Sequence, residues 1–174
     1  MKRVADVIFE ILKPHTDVVF MLPGGGAMYL VDALGQSGIP YVPMLHEQGA
    51  GMAACGYAGI SGKLGVCLVT SGPGATNAIT ACAAAWCDSF PVLFISGQTS
   101  TDTLIGDSGL RTRGVQQVDI IGMVMDITKG AVIVPNARSI SVLLPETIKR
   151  CLEARQGPCW LDIPMDVQGE VVNV

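Results

Sequence analysis

Six short apolar segments recur along this chain, separated by longer segments with helical patterning. Valine, isoleucine and leucine fill them almost continuously, so neither side of such a segment is suited to water. Apolar strands that alternate with helices predict a parallel sheet covered on both faces. The predicted fold is therefore α/β, a doubly wound parallel sheet with helices on both faces. The predicted strands are 17–22, 41–45, 64–70, 91–97, 126–134 and 158–164.

Helical patterns occupy the segments between these strands. In the last of them, apolar residues recur at i, i+3 and i+4 spacing from Ile140 to Leu152, which is typical of a helix with one buried face. Pro145 is expected near the first turns of that helix, where a missing N–H donor is tolerated. Residues 98–113 show no period and predict a long loop. The predicted helices are 2–13, 27–38, 47–62, 73–89, 115–124 and 139–155.

The chain is unusually poor in charge. Charged residues make up 15% of its 174 residues, against roughly 25% in soluble domains. This length fits one domain. The scarcity of charge indicates that further domains or a partner subunit cover much of the surface. A compact monomer with a plain surface is the alternative.

Composition and patterning argue against several function classes. With a net charge of −4, the chain lacks the basic stripe that binds nucleic acid. Asp6 and Glu10 interrupt the apolar opening, which predicts an amphipathic helix and not a secretory signal. Residues 70–77 (TSGPGATN) break the charge-poor run after Lys63, so no membrane span is predicted. The six cysteines form no C-x-x-C pair, so no metal site is expected; they predict apolar fillers of a cytoplasmic protein, with disulfides as the alternative.

Three glycine-containing loops follow predicted strands: PGGG (23–26), HEQG (46–49) and TSGPGATN (70–77). Ligands of open parallel sheets bind at the carboxyl ends of the strands, so these loops predict a binding site together with the long loop. Each loop also has a purely structural explanation. PGGG is typical of a strand-to-helix turn, and Pro73 suits the first residue of a helix. Neither loop matches a nucleotide-binding fingerprint.

Glu47 stands in a region with few charges. Between Lys63 and Thr101 the only charged residue is Asp88, and no lysine or arginine lies close to Glu47 in sequence. Its structural explanation is the helix dipole, which stabilises an acid in the first turn by about 0.3–1 kcal/mol. A carboxyl removed from water without a cationic partner can instead serve as a hydrogen-bond donor or proton shuttle. From the residues alone, both explanations stay open.

Four motifs together resemble the N-terminal pyrimidine-binding (PYR) domain of thiamine-diphosphate-dependent enzymes, most strongly that of acetolactate synthase (acetohydroxyacid synthase) large subunits. They follow one another in the family's order and span nearly the whole chain. The resemblance implies the thiamine-diphosphate-binding fold. It also implies an enzyme that decarboxylates pyruvate and transfers the two-carbon unit to a second carbonyl compound. The motifs are LHEQGAGMAACGYA (45–58), GVCLVTSGPGATNAIT (65–80), DSFPVLFISGQ (88–98) and GPCWLDIPMDVQ (157–168).

The resemblance also implies the site residues. Glu47 takes the place of the family's catalytic glutamate, which shares a proton with N1′ of the aminopyrimidine and so activates the cofactor. Charge-poor surroundings suit this role, because water would compete for the hydrogen bond. Gln116 takes the place of a glutamine near the substrate. The implied cofactor-binding residues are Glu47, Pro73, Gly74, Asn77, Gly24 and Gly25.

Two positions depart from the family pattern. Val115 stands where a phenylalanine is expected, and Met165 where a lysine is expected. In biosynthetic synthases both positions are associated with the active-site region and with handling of the acceptor. Residues 101–120 more closely resemble relatives that join a two-carbon unit to a keto sugar. The acceptor therefore stays open among pyruvate, 2-ketobutyrate and a keto sugar.

The resemblance further implies a second half of the cofactor site. The family binds the diphosphate through Mg²⁺ on a separate domain with a G-D-G…N pattern, whereas Gly106-Asp107 is followed here by a serine. Residues 1–166 are expected to form the PYR domain, and 167–174 to begin a linker to an absent central domain. The expected partner is the diphosphate-binding domain of another subunit in a homodimer or homotetramer; FAD stays open. The alternatives are a short subunit of a two-subunit 2-oxoacid decarboxylase and a non-catalytic binding module.

Overall fold

The computed structural model describes residues 1–172 of the chain and contains a six-stranded sheet and a separate two-stranded pair. The antiparallel pair consists of β1 (Lys2–Arg3) and β8 (Val171–Val172). The strands of the large sheet are β2 (Val19–Met21), β3 (Tyr41–Pro43), β4 (Gly65–Val69), β5 (Val92–Gln98), β6 (Gly130–Ile133) and β7 (Cys159–Pro164). They run parallel in the order β3-β2-β4-β5-β7-β6.

Helices cover both faces of this sheet. Successive residues of β5 point to different cores, since Leu93 and Ile95 pack in one cluster while Val92 and Phe94 pack in the other. The first core includes α1, α2 and α7, and the second includes α3, α5 and α6. The predicted α/β, doubly wound fold is therefore confirmed. The helices are α1 (Val4–Leu12), α2 (Met28–Ser37), α3 (Glu47–Ser61), α4 (Pro73–Asn77), α5 (Ile79–Asp88), α6 (Ile120–Val124), α7 (Ile140–Leu152) and α8 (Met165–Gly169).

The strand order places a crevice between β2 and β4. From β2 the chain moves to β3 on one side, and after α3 it crosses back to β4 on the other side of β2. Such a reversal leaves the two loops at the carboxyl ends running in opposite directions, which opens the crevice where open α/β sheets bind ligands. Residues 22–27 and 70–72 leave the sheet at this point.

The predicted helix 73–89 is wrong in one respect, because the structure divides it into α4 and α5. The Ala78 N–H donates to the carbonyl of Ala75 at 3.0 Å. This i→i+3 bond is tighter than the α-helical pattern. Since Ala78 is fully buried, the turn is held by packing between the two helices.

The predicted helix 115–124 is wrong over its first half and begins only at Ile120. Gln116 has a φ of 56°, in the left-handed region that a right-handed helix excludes. The Asp119 carboxylate then accepts a hydrogen bond from the Gly122 N–H at 3.0 Å and caps the helix. The cap therefore sets the start of α6.

Two further details differ from the prediction, the position of a proline in a helix and the start of a strand. Pro145 is the sixth residue of α7, which begins at Ile140, so it lies beyond the first turn. The predicted strand 126–134 begins only at Gly130, because Met125–Ile127 form a 3₁₀ turn before it. A 3₁₀ turn before a strand shortens the extended segment without changing its pairing.

The end of the described chain folds back on its beginning. Residues 167–172, predicted to start a linker, form the rest of α8 and β8, and β8 pairs with β1. Residues 173–174 of that predicted linker lie outside the described residues, and a domain boundary at 166 stays a prediction. In the part of the chain that the structure describes, no helix is both long and apolar enough to cross a membrane.

Candidate functional site

Thr70 joins the glycine loop after β2 to the loop after β4. Its Oγ1 accepts a hydrogen bond from the Gly26 N–H at 3.1 Å. A Cβ added to Gly24 would lie 2.5 Å from the Thr70 side chain, and one added to Gly74 would lie 2.6 Å from it. Both distances are too short for real Cβ atoms. Glycine at position 24 therefore lets the loop after β2 approach Thr70, and glycine at position 74 lets α4 pack against the start of its own loop. Sequence reasoning missed Thr70, although it begins the TSGPGATN loop.

Glu47 is the first residue of α3 and follows closely on the carboxyl end of β3. The helix is capped by His46, whose Nδ1 accepts from the Gln48 N–H at 3.2 Å. The Glu47 side chain is 9% exposed, and its Oε2 accepts a hydrogen bond from Asn77 Nδ2 at 3.0 Å. No ion pair within residues 1–172 includes Glu47. A neutral amide, and not a cation, therefore holds this carboxyl group.

Gly74 lies between Thr70 and the carboxyl group of Glu47. A Cβ on Gly74 would lie 3.3 Å from Glu47 Oε1, so the backbone of α4 passes close to the free oxygen of the carboxyl group. Contacts thus run without a break from Gly24 through Thr70 and Gly74 to Glu47 and Asn77. The predicted residues Gly24, Gly74, Glu47 and Asn77 are brought together at the crevice. Pro73 is the first residue of α4, which fits its structural explanation as a helix start, and it is exposed.

A cavity of about 490 Å³ opens beside this cluster, and it holds the other two predicted site residues. Its size falls in the range of small-molecule sites. Gly25 and Gln116 both line it, and a Cβ on Gly25 would meet nothing within 4 Å, so a side chain there would extend into open space. Glu47 is not one of the described residues that line this cavity. The full lining is Gly25, Gly26, Met28, Ser71, Gln98, Thr99, Ser100, Thr103, Arg113, Gly114, Val115, Gln116 and Met165.

Gln116 connects the cavity to the glutamate cluster. A Cβ on Gly72 would lie 2.1 Å from the carbonyl oxygen of Gln116, so the backbones touch there. Gly72 itself has a φ of 57°, which favours glycine independently of space. The loop that leads into Pro73 and Gly74 therefore forms one surface with Gln116.

A buried polar network lies beneath the cavity, and sequence reasoning missed it. Asp162 on β7 is 1% exposed; its Oδ1 accepts from Ser96 Oγ at 2.6 Å and its Oδ2 from Gln98 Nε2 at 2.8 Å. Ser96 Oγ in turn accepts from Trp160 Nε1 at 2.8 Å. Burial raises the pKa of Asp162 to about 7, although both hydrogen bonds favour the charged form. The signal was present as a lone acid in the apolar segment 158–164.

Replacing Asp162 by asparagine is expected to change how stability depends on pH. The folded-state pKa of about 7 lies above the unfolded value of about 3.9, so the folded state binds more protons between these two values. The contribution of this group is therefore fully present below about pH 4 and is lost as the pH rises to about 7, by at most on the order of 4 kcal/mol. Urea unfolding of both proteins from pH 4 to 8 measures the difference. Parallel stability profiles would contradict the assignment.

Metal-ligating side chains do not cluster in the described part of the chain. Within residues 1–172, no group of three or more His, Cys, Asp or Glu could hold a metal ion. All six cysteines are free thiols; Cys87 is exposed and the other five are buried. Burial raises the pKa of the Cys55 thiol to about 11, so this sulfur stays protonated near neutral pH.

The fold and this crevice place the chain in a known class. It belongs to the family of N-terminal TPP-binding domains of thiamine pyrophosphate enzymes, because residues 2–123 match that family. The family resemblance drawn from the motifs is therefore confirmed.

Acetolactate synthases are among the proteins to which this chain is similar. The chain is 41% identical over 162 residues to the acetolactate synthase isozyme 2 large subunit of Escherichia coli, covering 93% of this chain and 28% of that protein. It is 43% identical over 155 residues to the acetolactate synthase large subunit of Corynebacterium glutamicum, covering 88% and 24% respectively. The probable acetolactate synthase large subunit of Methanocaldococcus jannaschii is 38% identical over 178 residues, covering 100% and 28%. The chain thus spans about a quarter of the length of these relatives.

The residues at the crevice fit the cofactor that this family implies. A heterocycle with ring nitrogens needs a hydrogen-bonding group at its edge and close backbone approach at its face. Glu47 Oε1 has no hydrogen-bond partner among the described residues, while Oε2 is held by Asn77. Gly25 leaves its side of the cavity open, and Gly24 lets the loop after β2 meet the loop after β4 at Thr70.

Proposed function

We propose that this chain is the pyrimidine-binding half of a thiamine-diphosphate-dependent carboligase related to acetolactate synthase. In the proposed reaction, pyruvate is decarboxylated and the two-carbon unit is transferred to a second carbonyl compound. The observation that carries the proposal is Glu47. Its carboxyl group is nearly buried, lacks a cationic partner among residues 1–172, and lies at the crevice where the sheet order reverses.

Glu47 is proposed to hold and move a proton at its free oxygen. Asn77 fixes Oε2, so Oε1 is the atom available to a ring nitrogen of the bound pyrimidine. At 9% exposure little water competes for that hydrogen bond, which favours proton sharing over solvation. When bound, thiamine diphosphate supplies the carbon nucleophile and the electron sink for decarboxylation. This chain contributes binding, orientation and exclusion of water.

The rest of the cofactor site would come from outside this chain. On the family resemblance, Mg²⁺ and the diphosphate are assigned to a diphosphate-binding domain of another subunit. FAD binding stays open. Several apolar side chains on β3, in the loop after it and on α3 are exposed, which supports burial against a partner. They include Tyr41 (49% exposed), Val42 (40%), Leu45 (102%), Met52 (38%) and Ile60 (93%).

Sedimentation is expected to show self-association of the chain, as a homodimer or homotetramer, at high concentration. The driving force is removal of these exposed apolar side chains from water. A strictly monomeric chain at high concentration would contradict this part of the proposal.

The cavity is proposed to receive the carbonyl substrates. Arg113 lines it and makes no hydrogen bond or ion pair with another described residue, so its guanidinium is available to a substrate carboxylate. Gln116 offers a neutral amide on the same wall. Val115 and Met165, which replace the phenylalanine and lysine of the family pattern, also line the cavity. Their position supports a role in acceptor choice, which stays open among pyruvate, 2-ketobutyrate and a keto sugar.

Replacing Arg113 by glutamine is expected to raise the KM for pyruvate roughly 10-fold or more, with little change in kcat, because a charged hydrogen bond that serves binding is lost. Steady-state kinetics of the assembled enzyme measures both constants. Arg111→Gln is the matched control, since Arg111 lies in the same exposed loop but does not line the cavity. Equal effects of the two substitutions would contradict a specific role for Arg113.

A reconstitution experiment tests the function. The chain is combined with a diphosphate-binding domain of the acetolactate synthase type, thiamine diphosphate, Mg²⁺ and pyruvate, and carbon dioxide release is measured. Release together with a new carbon–carbon bond in the product supports the carboligase. Release without ligation supports a two-subunit 2-oxoacid decarboxylase. No release from a complex shown to form would support a non-catalytic module.

A further inference from the structure

Gln98 connects the buried Asp162 to the wall of the cavity. Its side chain is 2% exposed, and Nε2 donates to Asp162 Oδ2 at 2.8 Å and to the carbonyl of Val118 at 3.0 Å. Oε1 of the same amide accepts from the Thr99 N–H at 2.9 Å. One side chain therefore holds both ends of residues 99–118, the segment that lines one side of the cavity.

The hydrogen bond to Val118 affects Gln116 through a short turn. The Gln117 N–H donates to the carbonyl of Gly114 at 3.3 Å, which closes residues 114–117 into a compact unit. Gln116 itself has a left-handed backbone and touches Gly72. The turn is thus compact, is anchored at Val118, and carries the contact between Gln116 and Gly72.

We propose that Asp162 and Gln98 are positioning residues for this cavity. The Asp162 carboxylate orients the Gln98 amide, and the amide sets where the 99–118 segment, with Gln116, lies against the glycine loop. The importance of Gln116 for substrate rests on the function proposed above, whereas the positioning itself requires no activity.

The strength of this connection depends on the charge of Asp162. An ionised carboxylate accepts from Ser96 and Gln98 together, and charge-assisted hydrogen bonds are roughly twice as strong as neutral ones. A protonated carboxyl must donate one hydrogen. Ser96 Oγ can accept it, since the bond from Trp160 Nε1 occupies only one of its two lone pairs. Gln98 then faces a neutral oxygen and is held less firmly.

The change occurs near neutral pH. Burial raises the pKa of Asp162 to about 7, and the charge of Asp119 before α6 adds to the rise. The groups that hydrogen-bond it from β5, Ser96 and Gln98, are neutral, as is Trp160 on β7, which donates to Ser96. Asp119 is therefore the acidic neighbour whose charge contributes to the raised pKa of Asp162.

Nuclear magnetic resonance of the labelled chain from pH 5 to 9 tests the positioning. In the native protein, the Gln98 side-chain nitrogen and the Val118 carbonyl carbon are expected to shift around the same midpoint as the Asp162 carboxyl carbon. Asp162→Asn should abolish the shift at Val118, because its amide imitates the protonated form at every pH. Asp107→Asn is the control, since that exposed carboxylate takes no part in the network, and it should leave the shift unchanged.

Gln98→Met guards against misfolding of the Asp162 variant. Methionine fills a similar volume without the amide, so Asp162 should still titrate while Val118 no longer follows it. Persistence of the Val118 shift in either variant would overturn the positioning, because another group would then be its source.

Kinetics of the assembled enzyme separates this inference from the proposed function. Asp162→Asn is expected to raise the KM for pyruvate about 10-fold and to remove its pH dependence near neutrality, with a smaller change in kcat. If Glu47→Gln keeps full turnover, the proposed function fails while the coupling seen by resonance can still hold. If Glu47→Gln is inactive but Val118 ignores Asp162, only the positioning fails.

Discussion

Replacing Glu47 by glutamine is expected to reduce carbon dioxide release by the assembled enzyme by about 10²- to 10⁴-fold, the usual contribution of a positioned acid or base. The substitution keeps the length of the side chain and an oxygen that can accept from Asn77 Nδ2, so the hydrogen bond of 3.0 Å can persist. The amide cannot exchange a proton with a ring nitrogen at the other atom. Turnover should therefore fall much more than cofactor binding.

Two measurements make this result specific. Isothermal titration with thiamine diphosphate and Mg²⁺ should show only a mild loss of affinity in the assembled variant. Glu146→Gln, on the exposed side of α7, removes one carboxylate of the same length and should leave turnover unchanged. Equal turnover of the native protein and Glu47→Gln would remove the catalytic role of this residue.

Replacing Gly97 by alanine is expected to destabilise the chain by on the order of 3 kcal/mol, near the upper end for overpacked cores. A Cβ at this position of β5 would lie 2.0 Å from the carbonyl oxygen of Gly26 and 2.8 Å from the Ala27 nitrogen. Both are backbone atoms, so no side chain can turn away to make room. The glycine loop would have to leave the sheet, which should also loosen the cavity. Urea unfolding of the chain measures the loss.

Gly35→Ala is the matched control for this prediction. Gly35 lies inside α2, and a Cβ there would meet nothing within 4 Å. Alanine favours a helix over glycine by about 0.8–1.0 kcal/mol, so this substitution should stabilise the chain. The same chemical change is thus expected to have opposite signs at the two positions. A small effect of Gly97→Ala would mean that the loop after β2 is not held against β5.

The fold was predictable because its signals are local. Segments 64–70 and 91–97 are almost entirely apolar, and they form β4 and β5 in the centre of the sheet, where both faces are buried. The predicted helix 47–62 begins and ends within one residue of α3, since a capping residue precedes it and a glycine with a φ of 70° follows it. The helix predicted over 115–124 was wrong over its first half. The left-handed backbone of Gln116 and the cap at Asp119 delay the start of the helix to Ile120.

The candidate site was predictable only in part. Glu47 could be singled out from the scarcity of charge around it. Its hydrogen-bond partner Asn77 lies 30 residues away, and the role of Thr70 as the contact between two glycine loops has no local signature. Asp162 was visible as an acid among apolar residues, but its partner Ser96 is 66 residues away on a neighbouring strand.

The sequence by itself determined the class of fold, the glycine loops at one edge of the sheet and the family to which the chain belongs. These follow from periods and motifs that span a few residues, because an apolar run or an i, i+3, i+4 pattern is visible within each segment. Only the tertiary structure decided the strand order, the crevice between β2 and β4, and the connection from Asp162 through Gln98 to the cavity. Contacts between distant segments form only once the strands pair in their register, and no local pattern specifies which strand lies beside which.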